Sequence, residues 1–430
     1  TAIRCLELAR ALSEAGFSPT VAAPALLGDV APQPFPVREF DRARAAATLG
    51  PLLGNAHAVV LPLHALVEFP FLARLPIPLV FDLYDPIAFE LLRVTSSQPL
   101  RARRRSLRVH AAILRQVLAR GDFFLCASER QRDLWLGALL AVGRLLPSPD
   151  GDPCFRKLID VVPFGLPSDP PQISSAAPRL KSAHSGIAEN DAIIVWGGGL
   201  WDWLDPLTPI RAVERLAQRR AGVHLVFLGT AHPTLGRFEG SAATRARALA
   251  RDSGLEGRCV HFIEGWIPYR DRGEYLLECS AGITTHANHL ESRFAFRTRV
   301  LDYLWTGLPV VCTEGDVLAD FVKSEGLGIV VPPEDPDVLA SAIETILTDA
   351  DFAAACRERI AAIRPALAWS AAVAPLARFC ATPCGTAAKR GLRATMEEAW
   401  QLAAAATRVL ATEGVGEVVR RIHRHILLRP

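Results

Sequence analysis

The sequence predicts an α/β protein of two doubly wound domains with a helical tail. Three observations predict it. Short apolar runs alternate with helix-like segments along most of the chain, the signature of parallel sheets covered by helices on both faces. The alternation breaks once, at residues 166–190, "LPSDPPQISSAAPRLKSAHSGIAEN", where Pro, Ser and Ala dominate and no apolar face is visible, so the stretch reads as a linker. The length of 430 residues is ample for two hydrophobic cores.

The elements follow in order. "TAIRCLELARALSEAG" (1–16) places apolar residues at helical spacing and stops at Gly16, which marks a helix and its C-terminal glycine. Thr1 is not a start methionine, and an α/β domain that opens on a helix is expected to have a strand and loop before it, outside this sequence. "SPTVAAP", "HAVVLPL", "IPLVFDLY", "DFFLCAS" and "LIDVVPF" are each short, apolar and bounded by Pro, Gly, Asp or Ser, so they read as strands of a first domain over 1–165. After the linker, "AIIVWGGG" is a strand entering a glycine turn, with a helix over about 206–220 behind it. "VHLVFLGT", "CVHFIEGW", "AGITTH", "LPVVCT" and "GIVVPP" continue the pattern and make a second domain over 191–365. Residues 366–430 are nearly all helical in pattern, out to "GEVVRRIHRHILLRP", and form the tail. Both domains are Rossmann-like. Ligands of such sheets bind beyond the C-terminal strand ends at the switch point, and with two sheets facing each other the cleft between them is the expected site.

Composition narrows the function. Half the residues are hydrophobic and the net charge is +3, too small a surplus for a nucleic-acid binder. The basic residues are nearly all arginine, and Ala and Leu are abundant, a usage associated with GC-rich bacterial genomes. Nine cysteines are scattered without a C-x-x-C pair, which argues for a reducing cytoplasm and against a disulfide framework. The longest uncharged stretch, Ala45 to Val67, contains two histidines, an asparagine, two glycines and two prolines, so it is not a membrane-spanning helix. No cluster of metal ligands is visible, and "DLYD" (Asp82, Asp85) lacks the further carboxylates a hard cation needs.

Two stretches carry candidate chemistry. In "VWGGGLWDWLDPLTP", Gly197, Gly198 and Gly199 would let backbone N–H groups approach an anion, although any tight turn asks for glycine as well. Asp205 before Pro206 is an ordinary helix-capping pattern. Trp201 and Trp203 suit stacking on a sugar or base, or burial under the linker. In "HANHLESRFAFRTRVLDYLWTGLPVV" (286–311), Glu291, Arg293 and Arg297 crowd a loop, and a helix over 297–305 carries Arg299 and Asp302. Those last two lie three apart and share a face. They could simply pair. Cations in a first helical turn oppose the helix dipole, however, and a bound dianion would offset that cost, while Asp302 could accept both hydroxyls of a ribose.

These residues resemble a known family. "TRVLDYLWTGLPVV" is similar to the donor-binding segment of GT-B glycosyltransferases, most closely glycosyltransferase family 4 (group 1), which reads roughly K-L-x-E-Y-x-A-x-G-x-P-V-V. The resemblance implies that Asp302 grips the nucleotide's ribose and that Arg299 faces the diphosphate. "FIEGWIPY" (262–269), with Trp266, stands where the family contacts the base, and "IIVWGGG" opens the donor domain. "LARALSEAGFSPTVAAP" resembles the start of the acceptor domain. The implied donor-binding set is Gly198, Gly199, Trp203, Trp266, Glu291, Arg293, Arg297, Arg299 and Asp302. There are departures. The family's Glu-x(7)-Glu pair is absent: eight residues before Asp302 stands Phe294, and Glu291 is the nearest glutamate. Where the family has His-Asp after an acceptor-domain strand, "PLVFDLYDP" has Tyr84 and Asp85. Asp85 and His64, which ends "VVLPLH", are the catalytic candidates, against the structural role a lone strand-end histidine ordinarily has.

The function implied is glycosyl transfer, with retention, from a nucleotide-diphosphate sugar to a glycan, lipid-linked or small-molecule acceptor, as in cell-surface polysaccharide synthesis. No cofactor is expected, and arginines could replace a metal at the leaving diphosphate. Two basic amphipathic helices, 99–121 with seven arginines and "VVRRIHRHILLRP" at the end, are solvated faces or contacts to an anionic membrane; the latter would place a cytoplasmic enzyme peripherally on the inner face of the plasma membrane. Two alternatives stay open: a sugar-nucleotide epimerase, with Asp82 and Asp85 as its weak acid–base candidates, and a non-catalytic nucleotide-sugar-binding subunit.

Overall fold

The computed structural model describes residues 2–24, 32–145, 151–173, 178–181, 186–229, 231–232, 236–237, 241–265 and 267–385. The chain divides into two units, Thr1–Phe164 with Trp369–Pro430, and Gly165–Ala368.

In the first unit the chain opens on the expected helix, Ala2–Glu14, and Gly16 follows in the left-handed region at φ 88°. Strands β1 (Val21–Ala23) and β2 (Val37–Glu39) make a two-stranded parallel sheet. β3 (Val59–Pro62), β4 (Leu79–Asp82), β5 (Phe123–Cys126) and β6 (Ile159–Val161) make a four-stranded parallel sheet in that order. Their apolar runs are continuous because both faces are covered. Leu79, Phe81, Phe124, Cys126 and Ile159 pack on one side with Ile113, Val117 and Leu118 of the helix Leu100–Arg120. Val80, Phe123 and Leu125 pack on the other with Leu8 and Leu12.

That second face also takes Trp369, Ala372, Val373 and Leu376, and Phe379 stacks on Phe123 at 4.7 Å. The helices Trp369–Ala372 and Ala374–Ala381 therefore complete the first unit's core, where the sequence suggested a separate tail over 366–430. Helical periodicity shows an apolar face but not what it covers. Residues 386–430, with "VVRRIHRHILLRP", lie outside the described residues.

The second unit holds β7 (Ala192–Trp196), β8 (Val223–Phe227), a small antiparallel hairpin of β9 (Ala231–His232) and β10 (Gly236–Arg237), then β11 (Val260–Phe262), β12 (Ala281–Thr284), β13 (Val310–Thr313) and β14 (Gly328–Val331). Its six-stranded sheet is parallel, in the order β11-β8-β7-β12-β13-β14. That is the doubly wound order 3-2-1-4-5-6, whose switch point lies between β7 and β12. Residues 166–190, read as a linker, fold back on this unit. Leu180 and Ile187 are buried, and the Glu278 carboxylate accepts the N–H groups of Arg179, Leu180 and Lys181. Two isolated apolar anchors make no periodic face, so the pattern alone showed none.

Candidate functional site

At the switch point, β7 runs into Gly197–Gly199 and β12 into Thr285 and His286. The two strand ends are tied by Tyr303, from the helix Thr298–Trp305. Its hydroxyl accepts the Gly197 N–H at 2.8 Å and donates to the Ile283 carbonyl at 2.8 Å. The ring lies so close to the strand that a Cβ on Gly282 would fall 2.2 Å from it, so only glycine fits there. Of the three glycine N–H groups expected to meet an anion, that of Gly197 is thus already used. Gly198 is exposed at φ 83°, with open space where a side chain would stand, and the Gly199 carbonyl accepts from Arg299 Nη2 at 3.1 Å.

Arg299 is the most consequential cation here. Its guanidinium packs over the Trp196 ring at 4.6 Å. Its Nη1 is buried with no hydrogen-bond partner among the described residues. Burial pushes its pKa down to about 10, against Tyr303 and Asp302, which pull it up. It does not pair with Asp302, the arrangement their spacing allowed. The Asp302 carboxylate instead accepts from Arg272 Nε at 2.8 Å and keeps 32% of its side chain exposed.

Glu291 and Arg297 occupy a different environment. They form a two-pronged ion pair, 2.9 and 2.6 Å, and are only 2% and 7% exposed. Asp316, which caps the helix Val317–Glu325 through the Ala319 N–H, lies 3.9 Å from Arg297 Nε and 3.3 Å from His286 Nε2. His289 starts the short helix Leu290–Phe294, within the stretch expected to be a loop. Its Nδ1 accepts the Ser292 N–H, so Nε2 carries the proton and donates to the Trp203 carbonyl at 3.0 Å. This buried network shapes the loop between β12 and the helix Thr298–Trp305. Glu291 and Arg297, expected on the donor, satisfy each other instead, because a buried charge needs its counter-charge close by. Arg293 is exposed on Leu290–Phe294.

Trp203 is buried and stacks face to face on the half-buried Trp201 at 5.2 Å, so Trp201 is the outer ring of the pair. Asp205 caps the helix Leu207–Ala217, accepting from the Leu207 and Thr208 N–H groups at 3.0 and 3.2 Å. Trp266 lies outside the described residues.

In the first unit Asp85 follows β4, partly buried. His64 begins the helix Ala65–Glu68, its ring 6.0 Å from that of His110. Asp82 is held by Arg4 at 2.6 and 3.1 Å. Arg4 is 1% exposed and also donates to the Val162 and Pro163 carbonyls. One of the two carboxylates weighed for epimerase chemistry is thus a structural counter-ion. No group of three or more His, Cys, Asp or Glu among the described residues could hold a metal ion.

Sequence reasoning missed Tyr303, Arg272 and the His286–Asp316 pair. Only Tyr303 left a signal, as an aromatic polar residue on an otherwise apolar helix face.

A 3-2-1-4-5-6 sheet with a glycine turn, a half-buried arginine and a partly exposed carboxylate at its switch point is a unit of the GT-B fold. Residues 192–349, most of that unit, match the family described as Glycosyl transferases group 1, and the chain is a glycosyltransferase that uses nucleotide-sugar donors. Solved structures share the fold at low identity. HepE of Anabaena, in complex with UDP-glucose, is 18% identical with a TM-score of 0.61, covering 88% of this chain and 95% of its own. WaaG, a glycosyltransferase involved in lipopolysaccharide biosynthesis, is 17% identical with a TM-score of 0.59, covering 87% and 94%. Sucrose-phosphate synthase from Thermosynechococcus elongatus is 16% identical with a TM-score of 0.56, covering 87% and 90%. No curated protein matches by sequence. These likenesses offer no support for an epimerase or a non-catalytic subunit.

Proposed function

We propose that the second unit holds a nucleotide-diphosphate sugar with its diphosphate against Arg299 and Gly198–Gly199 and its ribose on Asp302, and that the sugar passes, with retention, to an acceptor held by the first unit. The observation that carries this reading is the state of Arg299. A half-buried guanidinium whose Nη1 is out of water, with no carboxylate partner of its own among the described residues, is costly, and an anion beside Nη1 would offset that cost. The same charge would stabilise the nucleoside diphosphate as it leaves, in a site where water does not compete. The HepE structures hold UDP-glucose in one case and UDP in another, which makes uridine the first base to try.

The acceptor is a glycan, a lipid-linked sugar or a small molecule, with Asp85 and His64 as the first-unit residues nearest to acid–base work. A lipid-linked acceptor is favoured by the helix Leu100–Arg120. It carries seven arginines and no acidic residue, and Arg101, Arg104, Arg108 and Arg115 are exposed along it, beside Leu100 at 57% exposure. Such a face suits the anionic surface of a membrane. No helix among the described residues is long and apolar enough to cross one.

The test is thermal-shift binding of UDP, GDP, ADP and TDP to the wild type and to Asp302→Ala. One nucleotide should raise the melting temperature, and the variant should bind it more weakly by about 1.5–3 kcal/mol, the worth of a hydrogen bond to a charged group. Equal binding by both proteins would remove Asp302 from the site.

A further inference from the structure

We infer that Arg272 is a positioning residue that orients the Asp302 carboxylate toward the donor's ribose; this rests on the donor reading of Asp302 proposed above. Arg272 begins the helix Arg272–Leu276 and reaches Asp302 across 30 residues of chain. Its guanidinium is fixed on several sides. The Tyr269 ring lies 3.5 Å from it and the Trp305 ring 4.4 Å. Nη1 donates to the Tyr269 carbonyl at 2.6 Å. Trp305 is itself anchored, its Nε1 donating to the Asp169 carbonyl at 2.8 Å. Gly273 lets these parts close up, since a Cβ there would lie 2.9 Å from Pro171 and 3.0 Å from Trp305.

A planar cation held by two aromatic faces and a carbonyl has little freedom left. Its Nε engages Asp302 Oδ1, which fixes the plane of the carboxylate. Oδ2 accepts no hydrogen bond among the described residues, and the side chain is 32% exposed. One oxygen is thus used for orientation and the other is left for a ligand. An ionised carboxylate is an acceptor only, as a diol requires. Arg272 therefore sets the preference for a ribose over a sugar lacking its hydroxyls.

The experiment measures dissociation constants by calorimetry for UDP, GDP and ADP and for their 2′,3′-dideoxy counterparts. In the wild type the best ribonucleotide should bind more tightly than its dideoxy form. Arg272→Gln should weaken the ribonucleotide about tenfold, the worth of one charge-assisted contact, and leave the dideoxy form within about twofold, so that discrimination collapses. Arg272→Lys, which keeps charge but loses the fork, should discriminate to an intermediate degree. It is the variant to read if Arg272→Gln does not fold. Equal weakening of both nucleotides would make Arg272 merely structural and overturn the inference, as would wild-type discrimination in Arg272→Lys. If the wild type binds none of the six nucleotides, the donor reading of Asp302 fails first and the inference falls with it.

Discussion

Replacing Arg297 by methionine should destabilise the second unit and leave nucleotide affinity nearly intact. Arg297 gives both N–H prongs to Glu291, and the pair is 7% and 2% exposed. Removing the cation strands a buried carboxylate, whose nearest other basic group is His289 Nδ1 at 3.6 Å. Breaking such a pair from one side costs about 3–5 kcal/mol, against a total stability of about 5–15 kcal/mol for a domain. Removing both charges is a different perturbation. The double variant Glu291→Leu, Arg297→Met leaves no stranded charge and should lose less than either single variant, with a coupling energy of about 2–3 kcal/mol in the cycle. Urea unfolding of the four proteins measures this, and nucleotide titration of the same samples completes it. If Arg297→Met unfolds at the wild-type urea concentration while its nucleotide affinity drops tenfold, then Arg297 spends its charge on the ligand and the argument from burial is wrong.

Arg299→Met should behave in the opposite way. The apo protein should be as stable as the wild type or more so, because a half-buried cation without a carboxylate of its own is gone, while nucleotide affinity should fall about 10–100-fold, as for a lost charge-assisted contact to phosphate. Burial lowers the folded-state pKa of Arg299 from its usual value to about 10. The unfolded chain therefore binds more protons at this group above about pH 10, up to its unfolded pKa, and its burial weighs on the apo fold most at neutral pH. Nucleotide binding needs the protonated form, so affinity should be level to about pH 9 and fall through about pH 10, a fall that calorimetry should find missing in Arg299→Met. Gly282→Ala should destabilise by about 1–3 kcal/mol by overpacking against Tyr303, read from the shift in urea midpoint. Pairing it with Tyr303→Leu should recover part of that loss.

How far the sequence could be read depended on whether burial left a pattern. β4, β5, β7 and β8 were legible because both faces of their sheets are covered, which turns each strand into an apolar run. β2 was not, since only the first of its three residues is even half-buried, and the two-residue strands β9 and β10 are too short for any period. The site divides in the same way. Arg299 and Asp302 were legible as residues sharing one helix face above a strand end. Arg272 was not, because 30 residues of intervening chain say nothing about an ion pair that only tertiary folding makes.

The harder lesson lies in the crowded stretch itself. Glu291, Arg293, Arg297 and Arg299 look alike in sequence, as charges gathered at a helix start, and on that pattern a single anion accounts for them all. The structure separates them by burial and by partner. Glu291 and Arg297 neutralise each other within the loop, Arg293 is exposed, and Arg299 is half-buried with its Nη1 out of water and no carboxylate of its own among the described residues. A neutralised pair gains little from a ligand's charge, while an uncompensated cation gains much. The loop charges and the site charge therefore do different work at nearly the same place. The pair holds β12's exit in shape, and that shape delivers Arg299 to the glycine turn.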